Sequence, residues 1–537
     1  MTVSEGTPPP AAAPAEAPPL AFASAEGAKA WANALPFGSV VQMHDAVLGQ
    51  LRALAAADFS ARERATIAEV MRTQVAHLHT ELARRYAGKP QPAVGRELEA
   101  ADQAIALWNL LSEQYAVCLK PLLEGDPELA GVKPKLLQRG LYVGKELVVA
   151  HGLARRAAPP GLWQELHAYY RLAEMLDCAV TAVSDELTPN GVGISCYSTY
   201  SHALLLGLAD PCAMTVKQIE LADRWLSMWA RKVFPYAQQR ESEGPVLVVD
   251  LDSTEGARLV TQTPPGPPPT MRFGYPMKLA TSVRGRLKRL QGGANPAELQ
   301  LGHDCSAEQC MTLLGYLDAK WYQPPRRVPA IAPQPVELCA GGVPAAYFRI
   351  GGRSFDREDP LGRVYGQKSL HLQTLGAVTD YDRGRDEAER SWPWEHWSGV
   401  CEWRDATVRR TGAAVHRWLL DQLVVVRDDE RTRLGHVTRV QQAADGALAL
   451  SLRLWSAAPR CVAVRPLSSA LSEDPPLPAL VLAETPEDKA SLCLPPRTFS
   501  PGRVLRTIDP GTEHKYRLTR LLQRGADFER VAFDEPD

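Results

Sequence analysis

The pattern of apolar positions is clearest in the C-terminal half of the chain, where it repeats every second residue. Asp445-Gly446 stands within this part. It favours a tight hairpin because both central residues of a type I′ turn need φ > 0. Strands at this spacing predict a small antiparallel sheet or barrel. Four short apolar runs, separated by polar turns, carry the pattern: residues 422–427, 434–440, 448–454 and 461–465.

The N-terminal half follows a helical period from about residue 40 to residue 240. Ser60 and Glu63 form the sequence pattern of a capping box, which predicts the start of a helix at this point. Thr215 and Gln218 repeat the pattern before another apolar stretch. The period predicts further helices over residues 96–119, 134–157 and 161–176, and one near Tyr197.

Between these halves the pattern is mixed, and the whole chain is predicted to have an α+β fold. A strand is expected over residues 245–251, helices over 281–291 and 306–321, and strands over 336–340 and 345–350. Five segments are predicted: a disordered Pro/Ala-rich tail at 1–34, a helical domain at 35–243, a mixed α/β region with a basic linker at 244–330, a β-barrel domain at 331–475 with a charged insertion at 355–390, and a C-terminal β extension at 476–537.

Composition narrows the class of protein without naming a function. The 537 residues are 45% hydrophobic and 23% charged, as in ordinary globular proteins. The net charge of −2 gives no electrostatic argument for a nucleic acid polymer as partner. No run of 18 apolar residues and no signal-peptide pattern is present, so we expect a cytoplasmic protein without membrane insertion. The 10 cysteines show no paired spacing, which favours reduced thiols.

Two short motifs resemble chemical sites only in part. The segment that begins at Gly140 has one residue too few for a phosphate-binding loop, and Glu146 stands where Mg²⁺ needs a hydroxyl group. His303, Cys305 and Cys310 are metal-binding residue types, but their spacing is not a zinc pattern. We therefore predict neither a catalytic residue nor a metal site.

Arginine and tryptophan residues flank the predicted barrel. Arg326 and Arg327 stand in a proline-stiffened linker before it, where paired guanidinium groups either bind a phosphate or form a solvated hinge. The tryptophans either stack on a purine or plug the end of the barrel. They are Trp392, Trp394, Trp397 and Trp403.

Five stretches of the chain carry a likeness to a known family: residues 200–211, 246–252, 321–327, 434–439 and 499–503. Their order resembles that of PilZ-domain proteins, which are bacterial receptors for cyclic di-GMP, in a long form with a helical N-terminal domain. The resemblance implies a PilZ-like antiparallel β-barrel at the C-terminal side. It also implies cyclic di-GMP as ligand.

PilZ domains have an R-x-x-x-R segment before the barrel and a [D/N]-x-S-x-x-G segment on its surface. Arg326 and Arg327 match the first, but the second arginine of that motif is missing. Residues 405–412 match the second, with threonine for serine and the glycine two residues late. Arg409 and Arg410, which lie inside the altered second motif, are candidates to replace the missing arginine. The resemblance therefore assigns ligand binding to Arg326, Arg327, Asp405, Thr407, Arg409, Arg410 and Gly412.

Three functions remain open. The first is a cytoplasmic regulatory protein, not an enzyme, that binds cyclic di-GMP or derives from receptors that bind it, and that relays its state to a protein partner through the helical domain. The second is a ligand-free interaction scaffold with degenerate PilZ motifs. The third is a metal-dependent enzyme built around His303, Cys305 and Cys310. We expect no cofactor beyond the possible cyclic di-GMP ligand.

Overall fold

The protein has a helical region at its N-terminal side and two β-barrels at its C-terminal side. This architecture, seen in a computed structural model, confirms the predicted α+β fold class. No helix among the described residues is long and apolar enough to cross a membrane. Arg326, Arg327 and most of the predicted insertion lie outside the described residues. The structure describes residues 19–188, 193–263, 265–324, 331–357, 387–429, 431–443, 445–467, 474–508 and 514–536.

The helical region starts earlier than the sequence pattern predicts. Helix α1 lies within the segment predicted as a disordered tail. Ser24 caps this helix by accepting the backbone N–H of Gly27 at 3.1 Å, and Ala28 is fully buried. The first nine helices are α1 (Ala25–Asn33), α2 (Val40–Ala56), α3 (Ala61–Tyr86), α4 (Arg96–Val117), α5 (Leu119–Leu123), α6 (Lys133–Leu153), α7 (Pro160–Met175), α8 (Cys196–Leu208) and α9 (Val216–Trp229).

Helix α6 passes through the middle of this region, and most of its residues are buried. The glycines of the loop-like motif lie inside it. A Cβ atom on Gly140 would stand 2.1 Å from the ring of Tyr169, and one on Gly144 would stand 2.6 Å from Leu166. These glycines therefore let α6 approach α7 closely, and the segment is not a phosphate-binding loop.

The middle of the chain packs onto the same helical core. The Trp321 indole N–H donates to the backbone carbonyl of Leu205 at 2.8 Å, and that of Trp225 donates to Leu301 at 2.9 Å. Strands β1, β2 and β3 form an antiparallel sheet in the order β2-β1-β3. The elements are β1 (Val246–Asp250), β2 (Arg258–Val260), β3 (Met271–Gly274), α10 (Met277–Gln291) and α11 (Ala307–Tyr322).

Two closed antiparallel barrels of six strands follow. Their strand orders, β4-β5-β6-β9-β8-β7 and β10-β11-β12-β15-β14-β13, are the same topology used twice. Barrel 1 consists of β4 (Gln334–Cys339), β5 (Glu395–Cys401), β6 (Asp405–Arg410), β7 (Leu423–Asp428), β8 (Arg431–Gln442) and β9 (Leu448–Leu454). Barrel 2 consists of β10 (Pro459–Pro466), β11 (Leu477–Leu482), β12 (Ser491–Leu494), β13 (Val504–Thr507), β14 (Lys515–Arg524) and β15 (Glu529–Asp534).

Two predictions about the β region are wrong. Residues 461–465 do not join the other three predicted strands, because they pair within barrel 2 as part of β10. Residues 345–350 are not a strand but lie in helix α12 (Gly342–Gly351). This helix is held between the two barrels, where Val343 and Ala346 share an apolar cluster with residues of both, such as Leu423 and Phe528. Packing between barrels thus overrides the local β pattern.

A buried carboxylate organises the interior of barrel 1. Glu395 is 1% exposed and forms an ion pair with the Arg410 guanidinium at 3.0 Å. It also accepts the indole N–H groups of Trp397 and Trp418, at 3.2 Å and 2.9 Å. The backbone N–H of Val415 donates to it at 2.8 Å. The charge is fully partnered, which a buried carboxylate requires.

We predict that Glu395→Ala destabilises barrel 1 by about 3–5 kcal/mol, because it leaves the Arg410 charge buried and unpaired. Urea unfolding followed by tryptophan fluorescence measures this effect. Glu337→Ala is the control, since Glu337 pairs with Arg427 at a partly exposed position, where about 0–1 kcal/mol is expected. Equal losses in the two variants would contradict the role given to Glu395.

The helical region holds a second polar cluster, between α3 and α6. Glu69 accepts from Arg139 Nε at 2.9 Å and from the Tyr115 hydroxyl at 2.8 Å, and it pairs with Arg72 at 3.3 Å. Arg72 also binds the buried Asp185 at 2.7 Å. Burial alone would raise the pKa of Glu69, but the charges of Arg72 and Arg139 outweigh it and lower that pKa to about 2.

The lowered pKa of Glu69 predicts part of the acid sensitivity of the helical region. A carboxyl group whose pKa falls on folding stabilises the fold above its unfolded pKa of about 4.3. This contribution disappears as the pH falls towards 2. We predict that Glu69→Gln is less stable than the parent at pH 7 and that the difference shrinks between pH 4.5 and pH 3. Thermal unfolding across this range tests it, and a constant difference would contradict it.

Candidate functional site

The PilZ-like motif lies on β6, and the alternation of this strand divides its residues between two faces. Asp405, Thr407 and Arg409 are exposed on the outer face of barrel 1, whereas Ala406 and Val408 are buried inside it. Successive side chains of a strand point to opposite faces, so the three outer residues form one line. At about 3.4 Å per residue, this line is roughly 14 Å long.

The neighbouring strands extend this line into a shallow surface with small side chains at its centre. Thr407 stands opposite Ser451 on β9 and Val400 on β5, and Arg409 stands opposite Ser398. At one end, Arg453 on β9 pairs with Asp405 at 3.3 Å. At the other end, Arg409 pairs with Asp445. We call the surface formed by residues 398–400, 405–409 and 449–453 the outer face of barrel 1.

The tryptophans near the barrel have different positions. Trp397 is 2% exposed and lies in the interior of barrel 1, as expected for a plug. Trp394 stacks against the guanidinium group of Arg427, whose central carbon lies 4.5 Å from the ring centroid. Trp403, in contrast, stands in the turn between β5 and β6 and is 68% exposed. It is two residues before Asp405, so an exposed aromatic ring flanks the outer face.

Two further residues of the motif are not part of this line. Arg410 lies on the inner side of β6, where it pairs with Glu395 and donates to the His416 carbonyl at 2.8 Å. The assignment of Arg410 to ligand binding is therefore corrected: the register of β6 commits this side chain to the barrel interior. Gly412 follows the end of β6, and its backbone N–H donates to the His396 carbonyl at 3.4 Å.

Strand β4, the first strand after the predicted linker, begins close to the outer face, whereas Arg326 and Arg327 themselves lie outside the described part of the chain. Strand β4 begins at Gln334, which pairs with Gly399 on β5, and Gly399 pairs with Val408 on β6. The start of β4 is therefore two strands from β6. That the linker arginines reach this surface stays a prediction.

On its other side, the outer face continues into the contact between barrel 1 and the helical region. Ser451 stands opposite Arg439 on β8. The Arg439 Nε–H donates to both carboxylate oxygens of Asp210, at 3.1 Å and 2.9 Å. Close by, the backbone N–H of Gln442 donates to the carbonyl of Arg155 at 2.7 Å. Thr407, Ser451 and Arg439 thus connect the outer face to Asp210 through adjacent strands.

We predict that Arg439 and Asp210 are energetically coupled across this contact by about 0.5–1 kcal/mol, as a partly exposed ion pair. The double-mutant cycle uses Arg439→Gln and Asp210→Asn. Asparagine is chosen because Asp210 has φ 58°, which asparagine tolerates better than alanine. Urea unfolding of the four proteins measures the coupling. Strictly additive losses would show that the pair contributes nothing across the contact.

The other candidate motif lies at the start of helix α11. Cys305 precedes the Ser306 cap of α11 and Cys310 lies in its first turns, with their sulfur atoms 2.7 Å apart. Cys305 and Cys310 occupy the two positions of a hydrophobic staple, one before the cap and one four residues into the helix. Among the described residues, no group of three His, Cys, Asp or Glu side chains is arranged to hold a metal ion.

Two segments of the chain match models of one protein family. Residues 26–236 match the model described as the N-terminal domain of the cyclic-di-GMP receptor FimW, and residues 462–536 match that of the FimW C-terminal β-barrel domain. The segments are 211 and 75 residues long and together contain 286 of the 537 residues. The chain belongs to the FimW family. Neither a curated protein nor a solved structure matches it.

The FimW matches cover the two ends of the fold. The first contains nearly all of helices α1–α9, and the second contains barrel 2 from within its first strand. Barrel 1 lies between the matched segments. The resemblance to PilZ domains therefore rests on the sequence motif and on the barrel itself, whereas the membership in a receptor family rests on the two ends.

Proposed function

We propose that this FimW-family chain is a cyclic di-GMP receptor, not an enzyme, and that it binds the ligand on the outer face of barrel 1. The observation that carries the proposal is the line of Asp405, Thr407 and Arg409 on one exposed strand face, with Trp403 at its end. The description of the family as a cyclic-di-GMP receptor supports the ligand class.

The residue types on this face suit the chemical groups of cyclic di-GMP. A guanine base offers N–H donors on its Watson–Crick edge, which the Asp405 carboxylate can accept, and the Thr407 hydroxyl adds a further hydrogen-bonding group. Its N7 and O6 atoms suit a guanidinium group, as do the two phosphates. Arg409 and Arg453 are the two guanidinium groups at the ends of the face. Trp403 offers a ring for stacking.

Ligand binding in this position would compete with existing ion pairs. Arg453 now holds Asp405, and Arg409 now holds Asp445. A phosphate or a guanine edge would take the place of a carboxylate on each arginine. In the proposal, Arg326 and Arg327 close over the bound ligand from the linker, in the position of the PilZ R-x-x-x-R segment.

The same geometry suggests how binding is relayed. A ligand over Thr407 and Ser451 would lie one strand away from Arg439, whose guanidinium group holds Asp210 in the helical region. We propose that occupancy shifts the population of docked and undocked arrangements of barrel 1. A protein partner that binds the helical region then recognises this change in arrangement.

A ligand-free scaffold is the second candidate, and a specific observation favours it. Arg409 and Arg453 are already neutralised by Asp445 and Asp405, so the outer face is electrostatically satisfied without a ligand. In that case, the motif on β6 would stabilise the barrel surface and the helical region would bind its partner constitutively.

We predict that the full chain binds cyclic di-GMP with micromolar or tighter affinity, measured by isothermal titration calorimetry. Asp405→Ala combined with Thr407→Ala should weaken binding at least tenfold, because both guanine contacts are lost. Trp403→Phe should reduce the tryptophan fluorescence change that accompanies binding.

Asp534→Ala combined with Thr519→Ala is the matched control, since these residues have the same side chains at exposed positions of barrel 2. It should bind as the parent does. Absence of binding by the folded parent would leave the scaffold function, and equal weakening in both double variants would remove the assignment to barrel 1.

A further inference from the structure

A cavity of about 640 Å³ opens between helices α3 and α6, away from barrel 1. Its volume lies in the range of about 300–1,000 Å³ that is usual for small-molecule sites. Its floor is the cluster around Glu69, in which Arg139 is 2% exposed. Arg139 donates to Glu69 and to the carbonyl of Ser184, at 3.0 Å, so its guanidinium group is fixed in position.

The charges around this cavity do not cancel. Its lining carries five cationic side chains, whereas only Glu69 and Glu186 are anionic, and Asp185 lies buried behind the floor. Five cationic side chains against these three carboxylates leave a local excess of two positive charges, although the net charge of the whole chain is −2. The cationic residues are Lys29, Arg62, Arg72, Lys135 and Arg139.

The cations divide into a fixed floor and an open mouth. Arg72, Lys135 and Arg139 surround Glu69. Arg62 donates to the backbone carbonyl of Glu128 at 3.4 Å, and among the described residues neither it nor Lys29 forms an ion pair with a carboxylate. Both remain available to an anion that enters the cavity.

The other lining groups also favour an anion. The N-terminus of α6 borders the cavity through its cap residue Val132, which provides no side-chain hydrogen bond to the helix. Its first turn carries Lys133 and Lys135 but no acidic residue, although the positive end of a helix dipole disfavours cations. The one aromatic ring on the described lining is Tyr115, whose hydroxyl group is engaged by Glu69.

We propose that this cavity is a second ligand site, which takes a small molecule carrying two phosphate or carboxylate groups. Lys29 and Arg62 bind these groups at the mouth, and the floor around Arg139 supplies the remaining positive potential. Since the one aromatic ring on the described lining, Tyr115, is only 1% exposed, recognition depends on the charged groups rather than on stacking of a base. The inference does not depend on cyclic di-GMP binding to barrel 1.

Calorimetric titration of the full chain with inorganic pyrophosphate tests the site. We expect saturable binding at one site, weakened by added salt, and weakened at least tenfold in a Lys29→Ala/Arg62→Ala variant. Lys120→Ala combined with Arg84→Ala is the control, because both are highly exposed cations outside the cavity. No saturable heat, or the same weakening in the control, would overturn the proposal.

A parallel titration with cyclic di-GMP separates this proposal from the function assigned to barrel 1. If Asp405→Ala/Thr407→Ala weakens cyclic di-GMP binding but leaves pyrophosphate binding unchanged, the two sites are distinct, as proposed. If only Lys29→Ala/Arg62→Ala weakens binding of both ligands, the cavity is an anion site and the assignment to barrel 1 fails. If cyclic di-GMP binds through Asp405 and pyrophosphate does not bind, the cavity proposal fails alone.

Discussion

The buried ion pair between Glu395 and Arg410 determines which residues of β6 reach the surface. Because side chains alternate along a strand, a shift of one residue would bring Arg410 outward and would turn Asp405, Thr407 and Arg409 inward. Such a shift would leave the Glu395 charge buried without its cation, which costs several kcal/mol. The interior of barrel 1 therefore fixes the exposed line of polar residues, and the proposed site depends on this register.

The two barrels share one topology, but they expose different faces. β6 is the third strand of barrel 1, and β12 is the third strand of barrel 2. All four residues of β12 are buried, and Cys493 on this strand belongs to the apolar cluster that includes α12. The third strand thus has an exposed outer side in barrel 1, whereas its counterpart in barrel 2 is used for packing. Barrel 2 supports barrel 1 and leaves the outer face of barrel 1 accessible.

The sequence predicts local features of this protein well and long-range ones poorly. The hairpin of β8 and β9 follows from alternation around Asp445, a property of adjacent residues. The partners of residues 461–465 depend on contacts across the whole barrel, so the sequence could not assign them to barrel 2. The inward position of Arg410 was readable in principle, since it has the same parity as the apolar Ala406 and Val408. The exposure of Trp403 and the contact of Arg439 with Asp210 had no such local signal.

Hydrogen–deuterium exchange of the full chain, with and without cyclic di-GMP, tests the central claim most directly because it locates the ligand without a substitution. Binding on the outer face predicts slower exchange in peptides from residues 398–412 and 448–454, with a change near Asp210 where barrel 1 contacts the helical region. Protection confined to the helices around the Glu69 cavity, with none in β6 or β9, would contradict the account.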